Sequence, residues 1–286
     1  KMTTRLSRRV FLSQMLLSIA ACTTEETVLN QRLVIGVISY GQGKQTVERL
    51  SGFRKYLSEN LKTIIELEPA FNERIAVERM KRNSWSLAFS TPGLAAMSIA
   101  NYRYWSMFPL ELDRASRSII VVNQNSPLNE LQDLRNKKLA LGQQGSATGY
   151  YFPLFNLYGL SLASVKFSPT PKTSLEWLSQ GEVDAAALSS QEFNLHKTTF
   201  DSSQFRILFS DSNSVPPGSL LCSPLVERKR ADAIRNHLKK APTSLIQQAR
   251  YIPDQSPPDY KHMISVVKRV NTIAQNIDSK PVRLFN

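Results

Sequence analysis

Between residues 32 and 93 the chain switches repeatedly between two apolar periods, and that alternation narrows the folds open to it more than any other feature. Residues 33–39, LVIGVIS, form an unbroken apolar run of strand length, as expected of a strand covered on both faces. Val47, Leu50, Phe53 and Leu57 then recur three or four residues apart, the stripe of an amphipathic helix. A second strand is expected at 63–69 (TIIELEP), a second helix in the segment before Lys81, and a third strand in 86–93 (SLAFSTPG), where Pro92 is placed to open the next helix. Strands alternating with helices predict an α/β fold with mainly parallel sheets flanked by helices.

The pattern then repeats as a second unit. A run at 118–122 precedes NQNSPLNELQDLRNKKLALG, which reads as a polar turn, one helical turn at 128–134, Asn136 turning the chain, and a strand at 138–141. SVKFSP, a helix near 174–180, a strand at 184–188 and FRILFS at 205–210 follow, and Pro216, Pro217 and Gly218 punctuate a return. Two closing helices are expected at 226–240 and 260–273, and no internal repeat of fixed period appears. Two α/β units joined by one crossing and one return predict a two-lobed body. Lobe 1 takes residues 32–120 plus 221–286 and lobe 2 takes 121–220, with a cleft between them where strand ends point.

Ahead of this body, residues 1–21 have the three parts of an export signal: the basic residues Lys1, Arg5, Arg8 and Arg9, an apolar run, and the small residues Ala20 and Ala21 before Cys22. The run is too short to span a bilayer as a mature helix. Ile19-Ala20-Ala21-Cys22 resembles the lipobox of bacterial lipoproteins, and Ser7-Arg8-Arg9-Val10-Phe11-Leu12 resembles a twin-arginine signal, with Ser13 where that pattern often carries Lys. The expected mature protein starts at a lipidated Cys22, carries a polar leader over 22–31, and is exported and held on the periplasmic side of the membrane; Met2 reads as the true start. Cys222 is left as a buried free thiol. Of the formal charge of +13, the signal holds four, leaving +9. These basic residues are scattered apart from Glu227-Arg228-Lys229-Arg230 and Lys239-Lys240, so a solvated surface is expected and no nucleic-acid partner. His196, His237, His262 and the two cysteines show no metal-ligand spacing, so neither metal nor cofactor is expected.

The stretch GQQGSATGYYFPLF (142–155) looks built to hold something. Gly142 ends a strand and Ser146 opens a helix, whose first N–H groups are unpaired and carry partial positive charge. Ser146 and Thr148 add hydroxyl donors, while Gly145 and Gly149 let backbone approach closely. The stretch lacks a P-loop's Lys-Ser/Thr ending and a dinucleotide fingerprint. Taken alone it is equally an ordinary helix with a serine N-cap.

The run SPLNELQDLRNKKLALGQQGSATGYYFP resembles the middle of the phosphate/phosphite/phosphonate-binding proteins of ABC importers, where a leader like SLADLKGKKVAFG precedes Ser-Thr-Ser-Gly-Tyr. The resemblance extends from residues 32–61 through LAFSTPG (87–93) to GEVDAAAL (181–188) and ILFSDSNSVPPGSLLCSPLV (207–226). It implies a Venus-flytrap periplasmic-binding-protein fold, a small phosphorus oxyanion closed between the lobes, permease and ATPase subunits as partners, a monomer, and no catalysis. Ser146 and Thr148 match the first and third residues of Ser-Thr-Ser, Ala147 replaces the middle one, and Tyr40 falls where the family often has a cleft residue. The family's cleft tyrosine falls on Ala95, its histidine near Pro171 and its acidic residue on Ser189. Tyr40, Ser90, Thr91, Ser146, Ala147, Thr148, Gly149 and Ser189 are therefore the candidate ligand-binding residues. Ser39 and Ser190 stand at neighbouring strand ends as further donors.

Two other classes stand beside this reading. One is a lipid-anchored sensor or scaffold of the same fold with altered or lost ligand binding. The other, an enzyme, finds no Gly-x-Ser-x-Gly elbow around Ser146 and no triad context for any histidine.

Overall fold

The computed structural model describes residues 32–40, 42–111, 116–201 and 203–285. The export signal, Cys22 and the leader lie outside the described residues. The first lobe opens with β1 (Arg32–Ile38), α1 (Gly43–Arg49), α2 (Ser51–Leu61), β2 (Ile64–Ala70), α3 (Glu73–Lys81), β3 (Leu87–Ser90), α4 (Pro92–Tyr102) and β4 (Trp105–Pro109). The second holds β5 (Ser118–Asn123), a 3-10 turn (Leu131–Leu134) and β6 (Lys138–Leu141). A helical segment, Ala147–Tyr151, then runs on into α5 (Phe152–Asn156), followed by β7 (Ser161–Leu162), β8 (Ser164–Phe167), α6 (Pro171–Ser179), β9 (Ala185–Ser189), α7 (Ser190–His196) and β10 (Phe205–Ser210). The chain returns through β11 (Ser219–Cys222) to α8 (Arg228–Lys239), α9 (Thr243–Ala249), α10 (Lys261–Ile273) and β12 (Val282–Arg283).

Each lobe has a five-stranded sheet, ordered β2-β1-β3-β11-β4 in the first and β10-β5-β9-β6-β8 in the second. The sheets are mixed, and the departure from parallel order has one cause. The reversed strand in the first sheet is β11, antiparallel to both its neighbours, and in the second it is β5. Both follow a crossing between lobes. The chain leaves one sheet at the C-terminal end of a forward strand and enters the other from the same gap, so the first strand laid down there must run backwards. Ser118 accordingly pairs with Ser189, the last residue of β9, and Ser219 with Ser90, the last residue of β3. The boundary expected at residue 120 falls inside β5, and that at 220 falls inside β11.

Three apolar layers interleave with the sheets. Phe53, Leu57, Ile234 and Leu238 cover the outer face of the first sheet, and Leu175, Leu178 and Phe193 cover the outer face of the second. Between them one continuous cluster runs from Trp85, Ala88 and Leu94 through Met263, Val266 and Val270 of α10 to Ile120, Leu139 and Ala185. The C-terminal tail returns to the second lobe, where β12 pairs antiparallel with β7.

Gly36 shows how tight the middle layer is: a Cβ built there would lie 1.8 Å from the Trp85 ring, and Trp85 is fully buried. Gly36→Ala must displace that indole or the strand, and overpacking of this kind costs about 1–3 kcal/mol. A corresponding fall in the urea unfolding midpoint, with the slope unchanged, is the expected result.

Candidate functional site

Because the forward strands of both sheets end at the gap between the lobes, the helices that follow them start there. Their N-termini surround a cavity of about 200 Å³. A narrow neighbouring space of about 20 Å³ shares Glu73, Ser146 and Glu192 with it and reaches Gly142, Gly149 and Pro171.

The helix starts are of two kinds. α4 opens at Thr91 with Pro92 in its first turn, no side-chain cap and no acidic residue. The hydroxyl oxygen of Thr91 is buried and has no hydrogen-bond partner among the described residues. The 147–156 helix opens at Ser146, whose hydroxyl accepts from Gly149 N at 3.0 Å, and also has no acid in its first turn. Its first turn is wide, with Tyr151 N donating to Ser146 O at 3.1 Å. Gly145 supports this entry with φ +110°, a conformation glycine adopts without strain. The two starts meet directly: a Cβ on Gly93 would lie 2.4 Å from both Ala147 N and Gly145 O.

The other two starts carry their own counter-charge. α3 is capped by Asn72, which accepts from Ile75 N, and has Glu73 in its first turn. α7 begins with a capping box in which Ser189 Oγ accepts from Glu192 N while Glu192 Oε2 accepts from Ser189 N. Glu73 is 5% exposed and accepts a hydrogen bond from the Tyr40 hydroxyl. Tyr40 itself holds φ 41°, uncommon for a residue with a Cβ. Burial pushes the Glu73 carboxyl up to about 7; the hydrogen bond from Tyr40 opposes this and the Glu192 carboxylate adds to it. Burial likewise pushes the Tyr40 phenol well above its ordinary value, with Glu73 and Glu192 contributing. Among the described residues no Lys, Arg or His lines the cavity.

Of the residues singled out in the sequence, Tyr40, Thr91, Ser146, Ala147, Thr148 and Ser189 line this cavity. Ser90 does not. It ends the ladder of a central strand, is buried at 1% exposure, and turns its hydroxyl back to Ala88 O. Gly149 lines only the narrow extension, and its N–H is taken by Ser146. Ser146 and Ser189 serve first as helix caps. Ala95 is fully buried on the core side of α4, and Pro171 opens α6. Sequence reasoning missed Glu73, Glu192 and Ser116. Ser-x-x-Glu at 189–192 was a readable capping box, and Asn72-Glu73 a readable helix start. Ser116 carried no local signal, since it is placed by the crossing alone.

Two sheets joined by crossing strands, with helix N-termini around an interlobe cavity, define a two-lobed periplasmic binding protein. The family model for the periplasmic substrate-binding proteins of phosphonate ABC transporters matches residues 35–260. The chain belongs to that family, whose members are exported binding proteins and not enzymes. Solved structures with the same fold include XAC2383 from Xanthomonas citri bound to chloride ion, at TM-score 0.71 and 18% identity, covering 85% of this chain and 99% of that one. PhnD1 from Prochlorococcus marinus in complex with methylphosphonate gives 0.65 and 20%, covering 85% and 100%. A binding-protein component of an ABC phosphonate transporter from Pseudomonas aeruginosa gives 0.64 and 13%, covering 86% and 87%.

The raised Glu73 pKa sets a pH dependence with a definite sign. Between about 4.5, the ordinary value, and about 7 the folded chain keeps a proton that the unfolded chain releases. Folding therefore loses stability as pH rises through that window, by a total on the order of 3 kcal/mol. Glu73→Gln is expected to flatten this slope in melting temperatures recorded from pH 4.5 to 8, and to melt above the parent at pH 8.

Proposed function

We propose that this chain is the solute receptor of an ABC importer and that it captures a small oxyanion, of the phosphonate, phosphite or phosphate kind, in the interlobe cavity. The observation that carries the reading is the meeting of two helix starts without acidic residues, at Thr91 and Ser146, beside the buried hydroxyls of Thr91 and Ser116, which have no partner among the described residues, and beside Thr148, which also lines the cavity. Such a start presents unpaired N–H groups and partial positive charge to an anion. The methylphosphonate bound by the Prochlorococcus protein supports the same class of ligand.

The receptor works without chemistry: the ligand binds the closed arrangement better than the open one and shifts the balance between them. The closed form is then offered, as a monomer, to permease and ATPase subunits. We place the lobe boundaries in the crossing segments, at 110–117 and 211–218, and assign membrane attachment to lipid on Cys22. Loss of metabolically incorporated palmitate in Cys22→Ser tests that attachment.

A second reading, a lipid-anchored sensor or scaffold of the same fold, draws on the carboxylates of Glu73 and Glu192 beside the cavity. Isothermal titration with phosphate, phosphite and methylphosphonate separates the two. The receptor gives saturable heat and a raised melting temperature with at least one of them. Thr148→Val, which removes one hydroxyl at nearly constant volume, weakens that binding roughly ten- to hundred-fold, the loss expected for one hydrogen bond to a charged group. No heat and no thermal shift with any small anion would leave the sensor.

A further inference from the structure

The forward strands of the first sheet begin at the pole of the lobe opposite the cavity, and β11 ends there: Arg32 pairs with Ile64, and Cys222 lies between Leu87 and Trp105. Basic residues gather at this pole. Lys62, Arg82 and Arg103 stand at the C-terminal caps of α2, α3 and α4 and are exposed; cations there offset the negative helix end, so helix electrostatics account for them. Arg228, Lys229 and Arg230 have no such account. They open α8, at its positive end, with no acid in the first turn and no side-chain cap from Glu227, an arrangement that costs the helix stability. Arg228 and Lys229 are exposed, and their side chains make no ion pair or hydrogen bond among the described residues. Two bulky apolar side chains stand out at the same pole, Ile64 at 60% and Leu225 at 74% exposure. A polar recess of about 230 Å³ lies between Arg32, Arg230 and Leu225 and is also lined by Asn83, whose buried Oδ1 has no partner among the described residues.

We propose that this pole is a docking surface for the anionic lipid headgroups of the membrane to which the chain is tethered. Charge complementarity and the path of the chain both point to a bilayer. Each Lys or Arg close to an anionic lipid surface strengthens attachment about fivefold, and exposed apolar side chains set among bases suit the headgroup layer. The first described residue, Arg32, lies on the pole itself. Residues 22–31 separate it from Cys22, a span of roughly 35 Å at full extension. A lipid on Cys22 therefore brings this end of the body to the bilayer first and makes docking intramolecular. Residues 22–31 hold Glu25 and Glu26 and no base, so the attraction has to come from the folded body. The matching end of the second lobe differs: there Arg135, Lys137 and Lys138 are balanced by Asp133, Glu182 and Asp184. Docked by its first lobe, the receptor holds its cavity a strand's length, roughly 20 Å, from the lipid. The tether is the one assigned to Cys22 above; the docking surface rests on the body's own residues and is tested without lipid on the chain.

The test is flotation of the mature chain carrying Cys22→Ser, which cannot take lipid, with vesicles of phosphatidylcholine alone or with about a third phosphatidylglycerol. The expected result is partitioning to the mixed vesicles about tenfold or more above that to phosphatidylcholine at roughly 0.1 M salt, with release at roughly 0.5 M, where screening reaches within a few ångströms of each charge. Arg228→Gln combined with Lys229→Gln is expected to weaken partitioning to the mixed vesicles about tenfold or more. Both side chains are exposed, and both substitutions remove like charge from a positive helix end, so the fold is not put at risk. Arg135→Gln combined with Lys138→Gln removes the same charge at the opposite pole and is expected to weaken partitioning by about threefold or less. Absence of any preference for the anionic vesicles overturns the docking surface, and so does an equal loss from the two pairs, which assigns the attraction to net charge alone. Neither result bears on the lipid anchor, which the palmitate label decides, or on the cavity, which the anion titrations decide.

Discussion

The site depends on one close approach: the backbone of Gly93, at the start of α4, against Ala147 N and Gly145 O at the start of the mid-chain helix. A side chain of any size at residue 93 would hold those two helix starts apart. With glycine there, the positive ends of two helices from different lobes share one small volume. Partial charges of like sign brought together in a place with little water need a counter-charge. Neither helix supplies one in its own first turn, so the demand passes to whatever occupies the cavity.

Against that pair stands another in which the demand is met internally. α3 and α7 also begin at the gap, and each holds a carboxylate in its first turn. The contrast cannot be read from helix placement, since all four starts arise from the same topology, in which forward strands end where the lobes face each other. It comes from which residue follows each cap: Pro92 and Gly93 in one case, Ala147 and Thr148 in another, Glu73 and Glu192 in the other two. A fold shared with proteins of 20% identity or less thus obtains its own polarity from a handful of positions.

Much of the framework was legible in the residues because its signals are local. The strands at 138–141 and 205–210 stand where their apolar runs put them, and Asn136 takes a left-handed φ of 58° to turn the chain as its type predicts. Elements that depend on distant partners were less visible. β4 contains Trp105, Ser106 and Pro109 and becomes a strand only because β11 lies beside it, and β7 and β12, of two residues each, exist only through pairing with one another. The site followed the same division. Ser146 as a cap was readable from its glycine-rich surroundings, whereas Glu73 reads in sequence as an ordinary first-turn acid. Its burial beside Tyr40 arises from two loops that are neighbours only once β1 and β2 are paired. Ser90 fell the other way: a serine ending a strand looks available until the returning Ser219 closes the ladder on it.

The C-terminal segment leaves a third connection between the lobes. After β4 leads out to β5 and β10 leads back to β11, the chain passes once more from α9, on the first lobe's outer layer, to β12 on the second, with Tyr260 hydrogen-bonded to Ser219 and Pro217 on the way. Two tethers would leave a pair of bodies free to twist as well as to hinge. A third adds a further restraint, so any relative movement of the lobes must also be absorbed by the C-terminal segment.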